Sequence, residues 1–378
     1  MAKIVFLEAV QNFGGARKST VELAERLSKY NEVEIIDVYG TCNHFLEACH
    51  KSGLKVSILD QRTSPFLISS GNKFKVLLNY IYFFFYIISI NKKLISLLNK
   101  NEKYIMIINN SKVLSFLYKK PKNVEVVFFA RGWFVNQQIT RIDRFLYKKL
   151  VDRFIAVSEA TRHALFCSGI SSLENIDVVH NAIQVTQRVP RSISGTVKIL
   201  AAGGFLPAKG HRVILGIAKM LKERGVNFEI TIAGIVYKGE ASKKFYEEIC
   251  KTIKEEGLDD NVRIVVDSND VNALFKWCDI FCHASDTEGL PRVVMEAMSY
   301  GKPVVANAVG GVSDYILHGY TGFITRHNNV EDYVDYIQLL LNDPDVYERI
   351  SQRAWDLVNE TYTPSLQIEK LNKVLQIR

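Results

Sequence analysis

Short apolar runs alternate with stretches of helical period along nearly the whole chain. Lys3–Glu8 reads as a first buried strand, and runs at Val33–Val38 and Lys55–Leu59 follow it. Between them, Val21, Leu23, Ala24 and Leu27 supply the apolar face of a helix from about Lys18 to Lys29, and a second helix lies near His44–Ser52. Further strands are predicted at Tyr104–Asn109, Glu125–Ala130 and Phe154–Val157, with a basic helix, RIDRFLYKKL, ending at Leu150. Strand–helix alternation of this kind predicts a parallel sheet with helices on its faces. Residues 184–196 (QVTQRVPRSISGT) break the pattern and read as a linker, holding Pro, Gly and Ser but no apolar period. The alternation then resumes. Strands are predicted at Val197–Ala202, Phe228–Ala233, Val262–Val266, Asp279–Cys282 and Val304–Ala306. Helices are expected at Ala241–Glu256, Val330–Leu341 and Val346–Glu360, and a last one runs from Thr363-Pro364 to Arg378. A single core stops growing near ~250–300 residues, so 378 residues imply two doubly wound α/β domains. Their expected spans are 1–190 and 191–358, with 359–378 as a terminal helix.

One stretch departs from this rhythm. Val76 to Ile90 is fifteen residues without a charge, bracketed by Lys73, Lys75, Lys92 and Lys93. A spanning helix needs roughly 20 apolar residues, so a transmembrane segment is not expected. Two readings stay open: a helix packed inside the first domain, or an amphipathic helix over residues 73–93 lying on an anionic bilayer. Charge bears on the choice. Residues 1–190 hold 26 Lys and Arg against 15 Asp and Glu, whereas the remainder holds 22 against 25. The basic half suits an anionic surface or is a solvated face; no nucleic-acid module is present.

Hydrophobic content of 48% with 23% charged residues excludes a disordered chain. The opening MAKIVFLEAV is too short an apolar run for a signal peptide, is interrupted by Glu8 and reads as a first buried strand; the cytoplasmic expectation comes from the cysteines. The six cysteines include no C-x-x-C pair and read as reduced and structural. Cys278 and Cys282 lack the second pair that a zinc site needs.

Candidate chemistry collects at predicted strand ends. Gly14-Gly15 follows the first strand with neither P-loop nor G-x-G-x-x-G spacing. Such a loop either brings backbone close to a ligand at the sheet edge or is a structural turn. Asn109-Asn110-Ser111 and Ala130-Arg131-Gly132 end two other strands at the same edge. In the second half, Gly203-Gly204 leads to Lys209-Gly210, and Gly234 ends a strand. The stretch HASDTEGLPRVVMEAMSYG (283–301) reads as strand, polar loop and helix, with Glu288 before the helix and Glu296 inside it. Pro291 reads as the first helical residue, where its missing N–H is not needed. A helix N-terminus beyond a Gly-containing turn aims backbone donors at one point, which suits a phosphate. Two carboxylates beside that point suit sugar hydroxyls.

The run EGLPRVVMEAMSYGKPVVA resembles the Glu-x7-Glu signature of retaining glycosyltransferases of family 4, which have the two-domain GT-B fold. AVSEATRHAL with VVHNAI is similar to the end of that family's first domain, with Ala182 replacing a Gly. Lys209 and Gly210 match its Gly-Arg-Leu-x-x-x-Lys-Gly loop, in which Phe205 is read as occupying the Arg position; Arg131 stands where many members have His. The resemblance implies two Rossmann-like domains facing a central cleft, with the last helix crossing back to the first. It implies that Glu288 lies near the donor sugar and that Gly289 and Leu290 present backbone to its hydroxyls or diphosphate. Glu296 would hold the ribose, and Lys209 would bind the diphosphate, with Arg131 or Arg292 compensating for the missing Arg. Gly14, Gly15, Gly204, Gly234 and Pro291 would complete the donor site. The implied reaction is metal-independent, retaining transfer from a nucleotide sugar to an acceptor hydroxyl. Uridine-diphosphate sugars and guanosine-diphosphate mannose are both used in the family; no cofactor beyond the donor is expected. The basic half and aromatic run favour a saccharide or lipid-linked acceptor, as in surface-polysaccharide, lipopolysaccharide or capsule assembly at the inner membrane face. The departures at Arg131 and Phe205 keep two alternatives open: a non-catalytic nucleotide-sugar-binding partner subunit, or a nucleotide-sugar epimerase or hydrolase.

Overall fold

The computed structural model describes residues 3–61, 73–134, 139–190, 195–268 and 270–377, with the side chains of 73–77 outside the description. The chain divides into two compact units, 1–179 with 368–378, and 180–367.

Among the described residues the first unit holds seven strands: β1 (Lys3–Glu8), β2 (Val33–Asp37), β3 (Lys55–Ile58), β4 (Tyr104–Ile108), β5 (Val124–Ala130), β6 (Arg153–Ala156) and β7 (Ile176–Val178). All pair in parallel, in the order β3-β2-β1-β4-β5-β6-β7. A parallel sheet covered on both faces needs nearly continuous apolar strands, which is why YIMII of β4 is buried throughout. The helices are α1 (Gly15–Ser28), α2 (Asn43–Lys51), α3 (Lys73–Leu97), α4 (Arg141–Leu150) and α5 (Glu159–Cys167), and a 3-10 turn runs from Ser111 to Leu117. The order reverses between β1 and β4. That reversal is a switch point, where the strand ends open onto a crevice.

Helix α3 is far longer than the fifteen-residue run that marks it in the sequence. Leu78–Leu97 is long and apolar enough to cross a membrane by length and composition. Its second half is nonetheless fastened to the unit. Tyr86, Ile90 and Leu94 enter the sheet's core, and Asn91 Nδ2 donates to Phe116 O at 2.7 Å.

The second unit's strands are β8 (Val197–Ala202), β9 (Phe228–Gly234), β10 (Val262–Val266), β11 (Ile280–His283), β12 (Val304–Asn307) and β13 (Phe323–Thr325). They too are parallel, in the order β10-β9-β8-β11-β12-β13. Here the switch point falls between β8 and β11. The helices are α6 (His211–Glu223), α7 (Glu240–Glu255), α8 (Val271–Trp277), α9 (Arg292–Ser299), α10 (Val330–Asn342) and α11 (Pro344–Thr361). Helix α12 (Pro364–Leu375) begins in this unit and ends in the first. There Arg153 donates to the carbonyl of Val374.

The boundary falls earlier than position 190. Of the expected linker, residues 191–194 lie outside the described residues, and its first part is tied to the second unit. Val189 N donates to Tyr300 O at 2.9 Å, Trp355 Nε1 donates to Thr186 O at 2.9 Å, and Arg188 pairs with Glu348 at 2.5 Å. A polar run without period is still ordered when its backbone groups find fixed partners.

Candidate functional site

Three loops of the second unit are locked together at the carboxyl ends of β8, β11 and β12. The loop after β8 keeps its pairing with the end of β9 through Gly203 N to Ala233 O at 2.9 Å and Phe205 N to Ile235 O at 2.9 Å. Gly234 is required there, because a Cβ would collide with the Gly203 carbonyl. The chain then makes a 3-10 turn, Pro207–Lys209, and reaches Gly210 at φ +71 before α6. A Cβ at Gly210 would overlap the Ala284 carbonyl, so this glycine permits both the left-handed turn and the close approach. Asp286 N donates to Ala208 O at 2.9 Å and fastens the first loop to the second.

The loop after β11 is held from several sides. His283 O accepts from Tyr333 OH at 2.7 Å, Ser285 O from Asn307 Nδ2 at 3.2 Å, and Pro291 O from Tyr315 OH at 3.0 Å. Gly311 N donates to Gly289 O at 2.8 Å. The result is a direct ion pair, Lys209 Nζ to Glu288 Oε1 at 2.6 Å, with the lysine stem lying over Gly203.

His283 Nε2 stands 3.4 Å from the same carboxylate oxygen. Burial disfavours the Glu288 charge, but His283 beside it and the Lys209 ammonium outweigh that and hold its pKa down to about 2. Glu288 is therefore ionised at neutral pH. His211, the first residue of α6, is buried with Nε2 3.2 Å from Gly204 O. Burial lowers its pKa to about 4, so it is neutral at pH 7. Further along, Arg292 Nη2 and Glu296 Oε1 form an i,i+4 pair at 3.3 Å on α9.

Two expectations are corrected. Pro291 is not the first helical residue: its backbone is extended, with ψ 113, and it forms the N-cap while α9 starts at Arg292. Phe205 does not occupy an arginine's place. It is fully buried, packed on Tyr246 and His211 with ring centroids 5.0 and 4.9 Å away. In Gly-Arg-Leu-x-x-x-Lys-Gly the Arg stands five residues before the Lys, which is Gly204, and Phe205 takes the apolar Leu position. The Tyr237 ring lies where a side chain on Gly204 would begin.

Gly14, Gly15 and Arg131 belong to the first unit. Gly14 is the N-cap of α1, and Gly15 has open space where a Cβ would stand. Arg131 directly follows β5 and stands in a polar network. Its Nε donates to Asn109 Oδ1 at 3.0 Å and its guanidinium lies 4.3 Å from the Phe129 ring centroid. Asn109 Nδ2 donates in turn to Glu8 Oε1 at 2.7 Å, and Arg17 pairs with Glu8 at 3.3 Å. Glu8 is completely buried.

The structure brings the loops holding Gly204, Lys209, Gly234 and 288–292 together, and adds Glu8, His283, Asn307 and Gly310, which are not among the expected site residues. The available signal for Glu8, His283 and Asn307 was a polar residue closing an apolar strand at its carboxyl end. Among the described residues, no group of three or more His, Cys, Asp or Glu gathers to hold a metal ion.

Residues 184–356 match the family model described as glycosyl transferases group 1. An uncharacterized glycosyltransferase of Haemophilus influenzae is 24% identical over 378 residues, covering 98% of both chains. HepE of Anabaena, solved in complex with UDP-glucose, superposes with a TM-score of 0.81 at 18% identity, covering both chains fully. A variant of S. aureus TarM, in complex with Fondaparinux, alpha-GlcNAc-glycerol and UDP, superposes with a TM-score of 0.78 at 14% identity over 98% of this chain and 99% of that one. The fold is GT-B. With the family match and the full-length relative, these findings support a glycosyltransferase.

Proposed function

We propose that the protein transfers a sugar from a nucleoside-diphosphate donor to an acceptor hydroxyl, with retention at the anomeric carbon and without a metal. The observation that carries this reading is the Lys209–Glu288 pair at 2.6 Å, a fixed cation and an ionised carboxylate at the junction of three rigid loops. Loss of the nucleoside diphosphate builds negative charge on its terminal phosphate, and a preorganised cation stabilises that charge without reorganising. Lys209 takes this role. Glu288 accepts hydrogen bonds from the donor's sugar hydroxyls, and Glu296, steadied by Arg292, accepts those of the ribose. The bond from the anomeric carbon to the phosphate oxygen breaks as the acceptor oxygen bonds on the same face. The acceptor's proton passes to the departing phosphate oxygen, so no protein base is assigned. UDP in complexes of HepE and TarM favours a uridine-diphosphate sugar, and the saccharide ligands named with TarM favour a saccharide acceptor. In the first unit, Arg131 is assigned to a carboxylate or phosphate of the acceptor, because its planar fork makes paired hydrogen bonds. A cytoplasmic enzyme of surface-polysaccharide or glycolipid assembly fits this chemistry.

A thermal-shift panel of nucleoside diphosphates and their sugars, run on wild type, Lys209→Ala and Glu296→Ala, tests the donor site. One nucleotide sugar is expected to raise the wild-type midpoint and neither variant's. Product analysis then decides the reaction. A larger glycoside formed only with acceptor supports transfer. Conversion of donor alone means epimerase or hydrolase activity, and binding without turnover means a partner subunit, as the absence of an arginine at Gly204 would favour.

A further inference from the structure

Two helices of the first unit expose large apolar side chains where water-facing helices should be polar. In the first half of α3, Leu78, Tyr80, Ile81, Tyr82, Phe84 and Phe85 are all exposed, Phe84 at 59% and Phe85 at 62%. Tyr86, Ile90 and Leu94 bury the helix's other face in the core, with Phe83 and Ile87 packed beside them. Helix α4 repeats the feature independently. Ile142 is 71% exposed and Phe145 60%, although the capping box of Thr140 and Asp143 and the buried Tyr147 and Leu150 fix this helix firmly.

Both helices lie on the same side of the sheet. The 3-10 turn Ser111–Leu117 sits between them and touches both: Tyr86 of α3 packs edge-on against Phe116 at 5.9 Å, and the Tyr147 side of α4 lies against the turn at Ser111. Their buried faces share one core, so their outward faces form one layer. The segment that carries both helices is one-sided in charge. Residues 51–150 contain 18 Lys and Arg against 4 Asp and Glu. Arg141, Lys148 and Lys149 on α4 and Lys92 on α3 are exposed, and Lys149 Nζ lies 5.5 Å from the Phe145 ring centroid. Exposed aromatics flanked by exposed basic groups suit the boundary of an anionic bilayer, where rings enter the acyl region and cations meet headgroups. A second protein copy would bring the same basic charges against each other.

We propose that the first half of α3 and the outward side of α4 form one docking surface for an anionic lipid bilayer. The proposal deepens the glycolipid-assembly reading and rests on it only for its purpose, since binding to lipid is measured without donor or acceptor. Vesicle flotation tests it, using phosphatidylcholine alone and phosphatidylcholine with phosphatidylglycerol. Wild type is expected to float with the anionic vesicles only, and less so in high salt. Phe84→Ser with Phe85→Ser, and separately Ile142→Ser with Phe145→Ser, should each lower the bound fraction at least about fivefold, judged against the affinity carried by such side chains. The four together should abolish binding, with circular dichroism and the nucleotide-sugar thermal shift unchanged. Absence of wild-type flotation, equal flotation with neutral vesicles, or indifference to the α4 pair would overturn the proposal. So would a wild-type dimer that the fourfold variant converts to monomer. A wild type that floats as expected but gives no nucleotide-sugar shift would sink the transferase reading and leave the surface standing.

Discussion

The backbone carbonyl of Glu288 lies where a Cβ on residue 310 would have to be, and Gly310 adopts φ +50. The carboxylate assigned to the donor sugar is thereby fixed from behind by a residue of the loop after β12. Gly310→Ala meets both a left-handed backbone and an immovable main-chain atom, and should cost about 2–4 kcal/mol in urea unfolding. Gly15→Ala is the contrast: nothing lies within 4 Å of its Cβ. Its stability should be unchanged or slightly raised, so any loss of donor affinity there would report close approach of a ligand to the loop.

Lys209 and Glu288 should behave as a coupled pair. Lys209→Met leaves an ionised, mostly buried carboxylate without its cation and should destabilise by about 1–3 kcal/mol. Adding Glu288→Gln should recover part of that loss, which a double-mutant cycle measures. Either single change should lower kcat by about 100-fold or more, because a fixed charge at the reacting centre is lost. The pair also has a pH signature. The Glu288 pKa falls from 4.5 to about 2 on folding, so its stabilisation is present above pH 4.5 and is lost as the pH drops toward 2.

His211 acts in a different window. Its pKa falls from 6.5 to about 4 on folding because burial disfavours the imidazolium. Between those values the unfolded chain binds a proton that the folded one refuses, so stability declines as pH falls from 6.5 to 4. The loss is on the order of 2–3 kcal/mol. Unfolding midpoints of His211→Phe between pH 7 and 4.5 should be flatter than those of wild type. Equal slopes would show that His211 titrates normally.

In the first unit, Asn109 joins Glu8 to Arg131 by using its amide as donor to one and acceptor from the other. Asn109→Leu removes both bonds, and the one from Nδ2 to Thr20 Oγ1, at once and should cost about 2–4 kcal/mol by chemical denaturation. Asn109→Asp keeps the acceptor for Arg131 but sets a carboxylate beside buried Glu8. Its stability should therefore fall further as pH rises through the carboxylate range.

Much of this protein was legible in one dimension. Strand and helix order followed from apolar period. The joining of loops at 203–210 and 283–292 was implied by the resemblance to family 4, in which both motifs face the donor. Local pattern erred where the deciding atoms were remote. Phe205 and Gly204 were exchanged by one position because nothing local marks which side chain enters a core. Pro291 has the φ of a helix start, yet ψ and the Tyr315 hydroxyl placed it outside the helix. The polar run at 185–190 resembled a linker because its partners, Tyr300, Trp355 and Glu348, come more than a hundred residues later.

The sequence by itself determined two parallel α/β units and the residue types at their strand ends, since period and composition are local properties that burial in a sheet imposes. Only the tertiary structure decided that Glu288 is ionised between Lys209 and His283, that Gly310 braces it, and that Glu8 is buried in an arginine network. It likewise decided that Phe84 and Phe85 of α3 face outward while Tyr86 enters the core. Each of these depends on which distant atoms exclude water or complete a charge, and desolvation and pairing act through space, not along the chain.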